Sequence, residues 1–196
     1  MHRVCVFCGS SPGSHTDYLL AAEELGRTLA ERGIGLVYGG AGVGLMGRLA
    51  EKVLAGDGEV IGVIPEALVR KEVAHVVIPD LRVVDSMHER KAVMADLADG
   101  FIAMPGGLGT LEELLEILTW GQLGIHKKPC GILNVRGYFD TLVGFLDHAV
   151  DQLFIKAEHR DLVLVADEPE RLLDLFEAWQ APVVDKAAWI LSMNDR

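Results

Sequence analysis

Gly100-Phe101-Ile102-Ala103-Met104-Pro105-Gly106-Gly107-Leu108-Gly109-Thr110-Leu111-Glu112-Glu113 runs from an apolar segment through a glycine-rich turn into a stretch where Leu111, Leu114, Leu115 and Leu118 recur at helical spacing. A buried strand, a tight turn and a helix in that order make an anion site. The first helical turn has unpaired N–H groups and a partial positive charge, and glycines let a phosphate approach those donors unobstructed. The carboxylate of Glu113 stands beside that cradle.

Outward from this stretch, strand-like and helix-like segments alternate along the whole chain. Strands are expected at Val4 to Cys8, Ile34 to Tyr38, Val60 to Ile64, Leu81 to Val84, Phe101 to Met104, Cys130 to Asn134 and Leu162 to Ala166. Helices are expected around Asp17 to Glu31, Met46 to Leu54, Glu89 to Leu97, Leu111 to Leu123, Phe139 to Val150 and Pro169 to Trp179. This βαβ rhythm predicts one α/β domain: a Rossmann-like parallel sheet, helices on both faces, and ligands at the carboxyl ends of strands where the strand order reverses. The domain is expected to span residues 1–184, with 185–196 a tail of mixed composition.

The chain has 196 residues and a net charge of -11, which disfavours nucleic acid and anionic membrane as partners, since both call for a positive face. A small anion can still bind through local donors. Val4 to Phe7 is far shorter than the core of a signal peptide, and no stretch approaches the roughly 20 apolar residues of a membrane span. A cytoplasmic protein is expected. Cys5 and Cys8 sit three apart in a strand and so point to opposite faces, and no second cysteine pair or histidine cluster completes a ligand set; no metal and no redox role is expected.

Three glycine-rich turns follow strands: Cys8 to Ser14, Gly39 to Gly47, and the stretch quoted above. The second contains G-x-G-x-x-G in Gly42, Gly44 and Gly47, a dinucleotide fingerprint when alone. It does not open the domain, and three converging turns suggest a single nucleotide surrounded by backbone. Thr110 and Glu113 also fit a T-x-x-E capping box with no chemistry in it, and spacing alone leaves the two readings balanced. Arg90 and Lys91, in Met87-His88-Glu89-Arg90-Lys91, stand at a helix start where cations oppose the helix dipole, which marks either an anion nearby or a solvated basic pair. Glu112 and Glu116 read as a solvated or interface face. Glu72 reads as a charge in a polar loop, and His126-Lys127-Lys128-Pro129 as a loop that launches a strand. The helix from Leu111 is apolar around most of its circumference; either its own chain or a second copy must cover it, and a two-fold homodimer is the commoner solution.

Pro105 to Glu113, Met87 to Lys91, Gly39 to Gly47 and Thr119-Trp120-Gly121-Gln122-Leu123-Gly124-Ile125-His126-Lys127-Lys128-Pro129 together resemble the LONELY GUY family of cytokinin-activating phosphoribohydrolases, once mislabelled lysine decarboxylases. The resemblance is nearly full-length. It implies a hydrolase, needing no cofactor, that cleaves the N-glycosidic bond of a cytokinin riboside 5′-monophosphate, and AMP with it, to free base and ribose 5-phosphate. It further implies that Arg90 and Glu113 are catalytic. By the same resemblance Glu72, Lys91, Gly107, Leu108, Gly109, Thr110, Leu111, Glu112 and Thr119 line the nucleotide site, with Gly107, Gly109 and Thr110 on the phosphate. Two other functions stay open at this point: a general AMP or purine nucleotide nucleosidase, and a non-catalytic nucleotide or cofactor carrier on the same fold.

Overall fold

Strands β1 (Arg3–Phe7), β2 (Gly35–Tyr38), β3 (Val60–Pro65), β4 (Asp80–Val84), β5 (Gly100–Ala103), β6 (Cys130–Leu133) and β7 (Val163–Ala166) form one sheet in a computed structural model that describes residues 1–69 and 78–182. The order is β4-β3-β2-β1-β5-β6-β7, with every neighbouring pair parallel. The chain winds outward from β1 to β4, then returns to the other side of β1 as β5. The order therefore reverses between β1 and β5, and a crevice opens there at the strands' carboxyl ends.

Alternation along the strands decides which helices cover which face. Val4, Val6 and Cys8 pack with Leu25 and Leu29 of α1 (Thr16–Glu31), Leu49 and Val53 of α2 (Gly44–Ala55), and Leu172 and Phe176 of the C-terminal helix (Pro169–Ala178). Cys5 and Phe7 point the other way, against Met94 of the helix Met87–Leu97 and Ile117 of the helix Leu108–Gln122. Ala103 and Ile132 share that second face with Phe139 and with Leu146 of the helix Asp140–Asp151. With the short helices Glu66–Val69 and Ala157–Arg160 included, the helices in chain order are α1 to α8, so Met87–Leu97 is α4, Leu108–Gln122 is α5 and Asp140–Asp151 is α6.

The expected elements are all present, with ends shifted by a residue or two, except at one place. Helix α5 starts at Leu108 rather than Leu111, because the glycines of the turn join its first winding. The short helices α3 and α7 carry no expectation from the sequence. Residues 185–196, expected as a tail, lie outside the described residues.

Candidate active site

The residue preceding α5 is Gly107, in extended conformation and with no side chain to cap the helix. Thr110 is therefore the third residue of α5 and Glu113 the sixth, so the two do not form the capping box their spacing allowed. The first amides of α5 are left for a ligand or water. Two contacts hold the turn that presents them: Gly9 N–H donates to the Pro105 carbonyl at 3.0 Å, and the buried Thr110 hydroxyl occupies the space that a Cβ on Gly106 would take.

Glu113 and Arg90 face one another beside this turn. Glu113 is 5% exposed and Arg90 4%, and Arg90 Nη2 lies 3.5 Å from Glu113 Oε1. Arg90 is brought there by α4, whose start is well made: Glu89 N–H donates to Ser86 Oγ at 3.1 Å, and the Asp85 amide donates to Glu89 Oε2 at 2.8 Å. Its guanidinium rests where a side chain on Gly39 would project, so the loop after β2 must have glycine at that point. Burial excludes the solvated-pair reading of Arg90 and Lys91. Arg90 Nε is buried and has no hydrogen-bond partner among the described residues, a donor left over beside Glu113.

Lys91 is 7% exposed and reaches across to α5, with its ammonium 2.5 Å from Glu112 Oε1 and 3.0 Å from Glu116 Oε1. Burial pulls this ammonium down, but its bonds to the two carboxylates outweigh burial and hold it above the ordinary lysine value. Glu112, still exposed, and the half-buried Glu116 are thus ties between helices as well. Leu108, Gly109, Glu112 and Thr119 are exposed, Leu111 half-buried, and Thr110 buried.

Thr119 is not brought to Glu113 within one chain. Six residues along a helix amount to about 9 Å of rise and a turn of about 240°, which places the two on different faces. Thr119 instead lies in a stripe with Leu108, Leu115 and Leu123, which are 86%, 42% and 54% exposed. Of the two covers the sequence left open for α5, its own chain supplies only part: the described residues cover the side holding Glu113, Leu114 and Ile117. Glu72 lies outside the described residues.

The other sequence features have structural explanations. In the Gly42, Gly44, Gly47 turn, Leu45 N–H donates to the Gly9 carbonyl at 3.1 Å, and Gly44, at φ 60°, is pressed against the Ser10 backbone. That G-x-G-x-x-G packs one loop on another instead of opening onto a dinucleotide. Cys5 and Cys8 point to opposite faces as expected, and burial, with the nearby Glu113 charge, pushes both thiols up. His126 accepts from Lys128 N–H at 3.1 Å and pairs with the Ile117 carbonyl at 2.8 Å, which ties the loop before β6 to α5. Sequence reading missed Tyr138, whose hydroxyl bonds the Gly106 carbonyl from 32 residues away, because no local pattern links positions so far apart.

A family model described as "Possible lysine decarboxylase" matches residues 46–176. The chain is 50% identical over 186 residues to a protein of Oryza sativa subsp. japonica named probable cytokinin riboside 5′-monophosphate phosphoribohydrolase LOGL5, covering 95% of this chain and 76% of that one. It is 47% identical over 190 residues to the Arabidopsis thaliana cytokinin riboside 5′-monophosphate phosphoribohydrolase LOG1, covering 95% and 89%. Among solved structures it resembles the molybdenum cofactor binding protein of Rippkaea orientalis, with a TM-score of 0.68, 24% identity, and coverage of 90% of this chain and 96% of that one. The last likeness is one of fold.

Proposed function

The chain belongs to the cytokinin riboside 5′-monophosphate phosphoribohydrolase family, and on that premise we propose that it hydrolyses the N-glycosidic bond of cytokinin riboside 5′-monophosphates, and of AMP, to free base and ribose 5-phosphate. The observation that carries this reading is the buried Arg90–Glu113 pair beside the uncapped start of α5. An anionic substrate and an ionised carboxylate are both needed there, and the fold supplies donors for each.

The 5′-phosphate sits on the amides of Gly107, Gly109 and Thr110, where the helix dipole and free N–H groups favour an anion. That remote contact orients the ribose so that Glu113 faces C1′. As the C1′–N bond breaks, its electron pair leaves with the base nitrogen and positive charge develops on the ring; the Glu113 carboxylate stabilises that charge while water adds to C1′, and the proton the water loses passes through solvent to the departing base. Arg90, with Nη2 3.5 Å from Glu113 Oε1, holds the carboxylate in place, and its Nε–H is a further donor beside it. Lys91, Leu108, Leu111 and Glu112 line the remainder of the nucleotide site.

The family model's description calls for different chemistry. A decarboxylase working through a Schiff base needs a lysine whose amine is neutral enough to attack. Lys91 is held in the opposite state by Glu112 and Glu116.

The exposed stripe of α5 supports a homodimer, in which Thr119 of one copy completes the site of the other. Three buried free cysteines are in keeping with a reducing cytoplasm. The test is to incubate the protein with isopentenyladenosine 5′-monophosphate and AMP, each beside its dephosphorylated nucleoside, and to quantify free base by chromatography. Release from the monophosphates and little from the nucleosides is expected. Equal release from nucleosides removes the phosphate cradle from the account; no release at all favours a carrier.

A further inference from the structure

We propose that Tyr138 is a positioning residue of the phosphate cradle, an inference that rests on the functional reading above. Tyr138 lies just after the 3₁₀ turn Val135–Gly137 that follows β6. Its hydroxyl donates to the carbonyl of Gly106 at 2.6 Å. In a trans peptide the carbonyl and the following N–H point in opposite directions, and the chain has no cis bond among the described residues. Holding the Gly106 carbonyl toward Tyr138 therefore turns the Gly107 N–H, one of the donors proposed for the phosphate, away from the tyrosine hydroxyl.

Sterics alone do not fix that peptide plane. Packing holds the Gly106 side of the peptide, but Gly107 has nothing near the position of a Cβ and keeps the backbone freedom of glycine. A cavity of about 320 Å³ is lined by Gly9, Ser10, Tyr18, Gly106, Gly107 and Tyr138, so this peptide borders open space. The tyrosine ring is itself held. It meets Tyr18 edge-on at 5.9 Å and the buried Phe139 at 5.0 Å between ring centres. Its backbone approach is set by Asn134, whose side chain accepts from Phe139 N–H at 2.8 Å and donates to Asp140 at 2.7 Å. A hydroxyl on a fixed ring thus aims the amide of Gly107, the residue of the turn that packing leaves free.

The test is Tyr138→Phe, which removes one oxygen and leaves the ring. Tyr138 is 43% exposed, so an unchanged thermal melt is expected. Losing one hydrogen bond that preorganises a donor should raise KM for the nucleoside monophosphate about 3- to 10-fold with kcat little changed. Calorimetric titration should show binding of ribose 5-phosphate weakened by the same factor, a readout that needs no turnover. Unchanged KM and unchanged ribose 5-phosphate affinity overturn the inference, as does a fall in kcat alone. A wild-type protein that cleaves no nucleoside monophosphate overturns the functional reading instead; an active wild type with an indistinguishable variant overturns only the role of Tyr138.

Discussion

Glu113 is a carboxylate only 5% exposed, with the Arg90 guanidinium 3.5 Å away. T-x-x-E fits a helix cap and fits an active-site acid equally well, because both need the same two residue types at the same distance. What separates them is where the helix begins, and glycines obscure that in sequence. With Gly107 before the helix, Glu113 falls in the second turn and meets Arg90. The partnership of Lys91 with Glu112 and Glu116 was illegible for a related reason: it depends on α4 and α5 lying side by side. A buried pair also predicts the cost of breaking it. Arg90→Ala leaves the Glu113 carboxylate buried without its cation, which should destabilise the fold by about 3–5 kcal/mol in denaturant titration and abolish turnover. A variant as stable as wild type would mean that the carboxylate is compensated elsewhere.

Among the elements, those of seven or more residues and the buried strands were readable from periodicity, because each must present an apolar stripe or run to the core. Helices α3 and α7, of 4 residues each, make barely one turn and leave no periodic trace. Helix α5 was legible as apolar all round, yet the sequence left open whether its own chain covers it. Exposure of Leu108, Leu115 and Leu123 resolves that for the described residues and leaves a surface suited to a second copy. Leu115→Glu places a charge in that stripe away from Glu113. Sedimentation should shift from dimer to monomer while the thermal melt of the chain changes little, and turnover should fall with the lost partner contact. A variant that stays dimeric and active would move the interface to another surface.

For the molecule as a whole, the class of fold was written in the alternation of strands and helices, but the strand order was not. Which strands pair depends on contacts between distant segments, and only the sheet itself reveals that β1 and β5 are neighbours. Asp99 helps to close that junction at the opposite end from the site: its carboxylate accepts the amides of His2 at 2.5 Å and Arg3 at 3.1 Å. Burial pushes this carboxyl up, but the two amides outweigh it and hold the group below its ordinary value of 3.8. A carboxyl lowered in the folded state contributes stability that is complete above pH 3.8 and is lost as pH falls through the lower, folded value. Urea titrations should find wild type more stable than Asp99→Asn near neutrality, with the gap closing in strong acid. A gap independent of pH would assign the difference to packing.

The central claim is spatial: amides at the start of α5 grip the phosphate, and the carboxylate of residue 113 faces the anomeric carbon. A crystal structure of Glu113→Gln with uncleaved isopentenyladenosine 5′-monophosphate tests it most directly. The phosphate is expected on the amides of Gly107, Gly109 and Thr110, with the side chain of residue 113 about 3.5 Å from C1′. A nucleotide bound with its phosphate elsewhere, or with C1′ out of reach of residue 113, would contradict it.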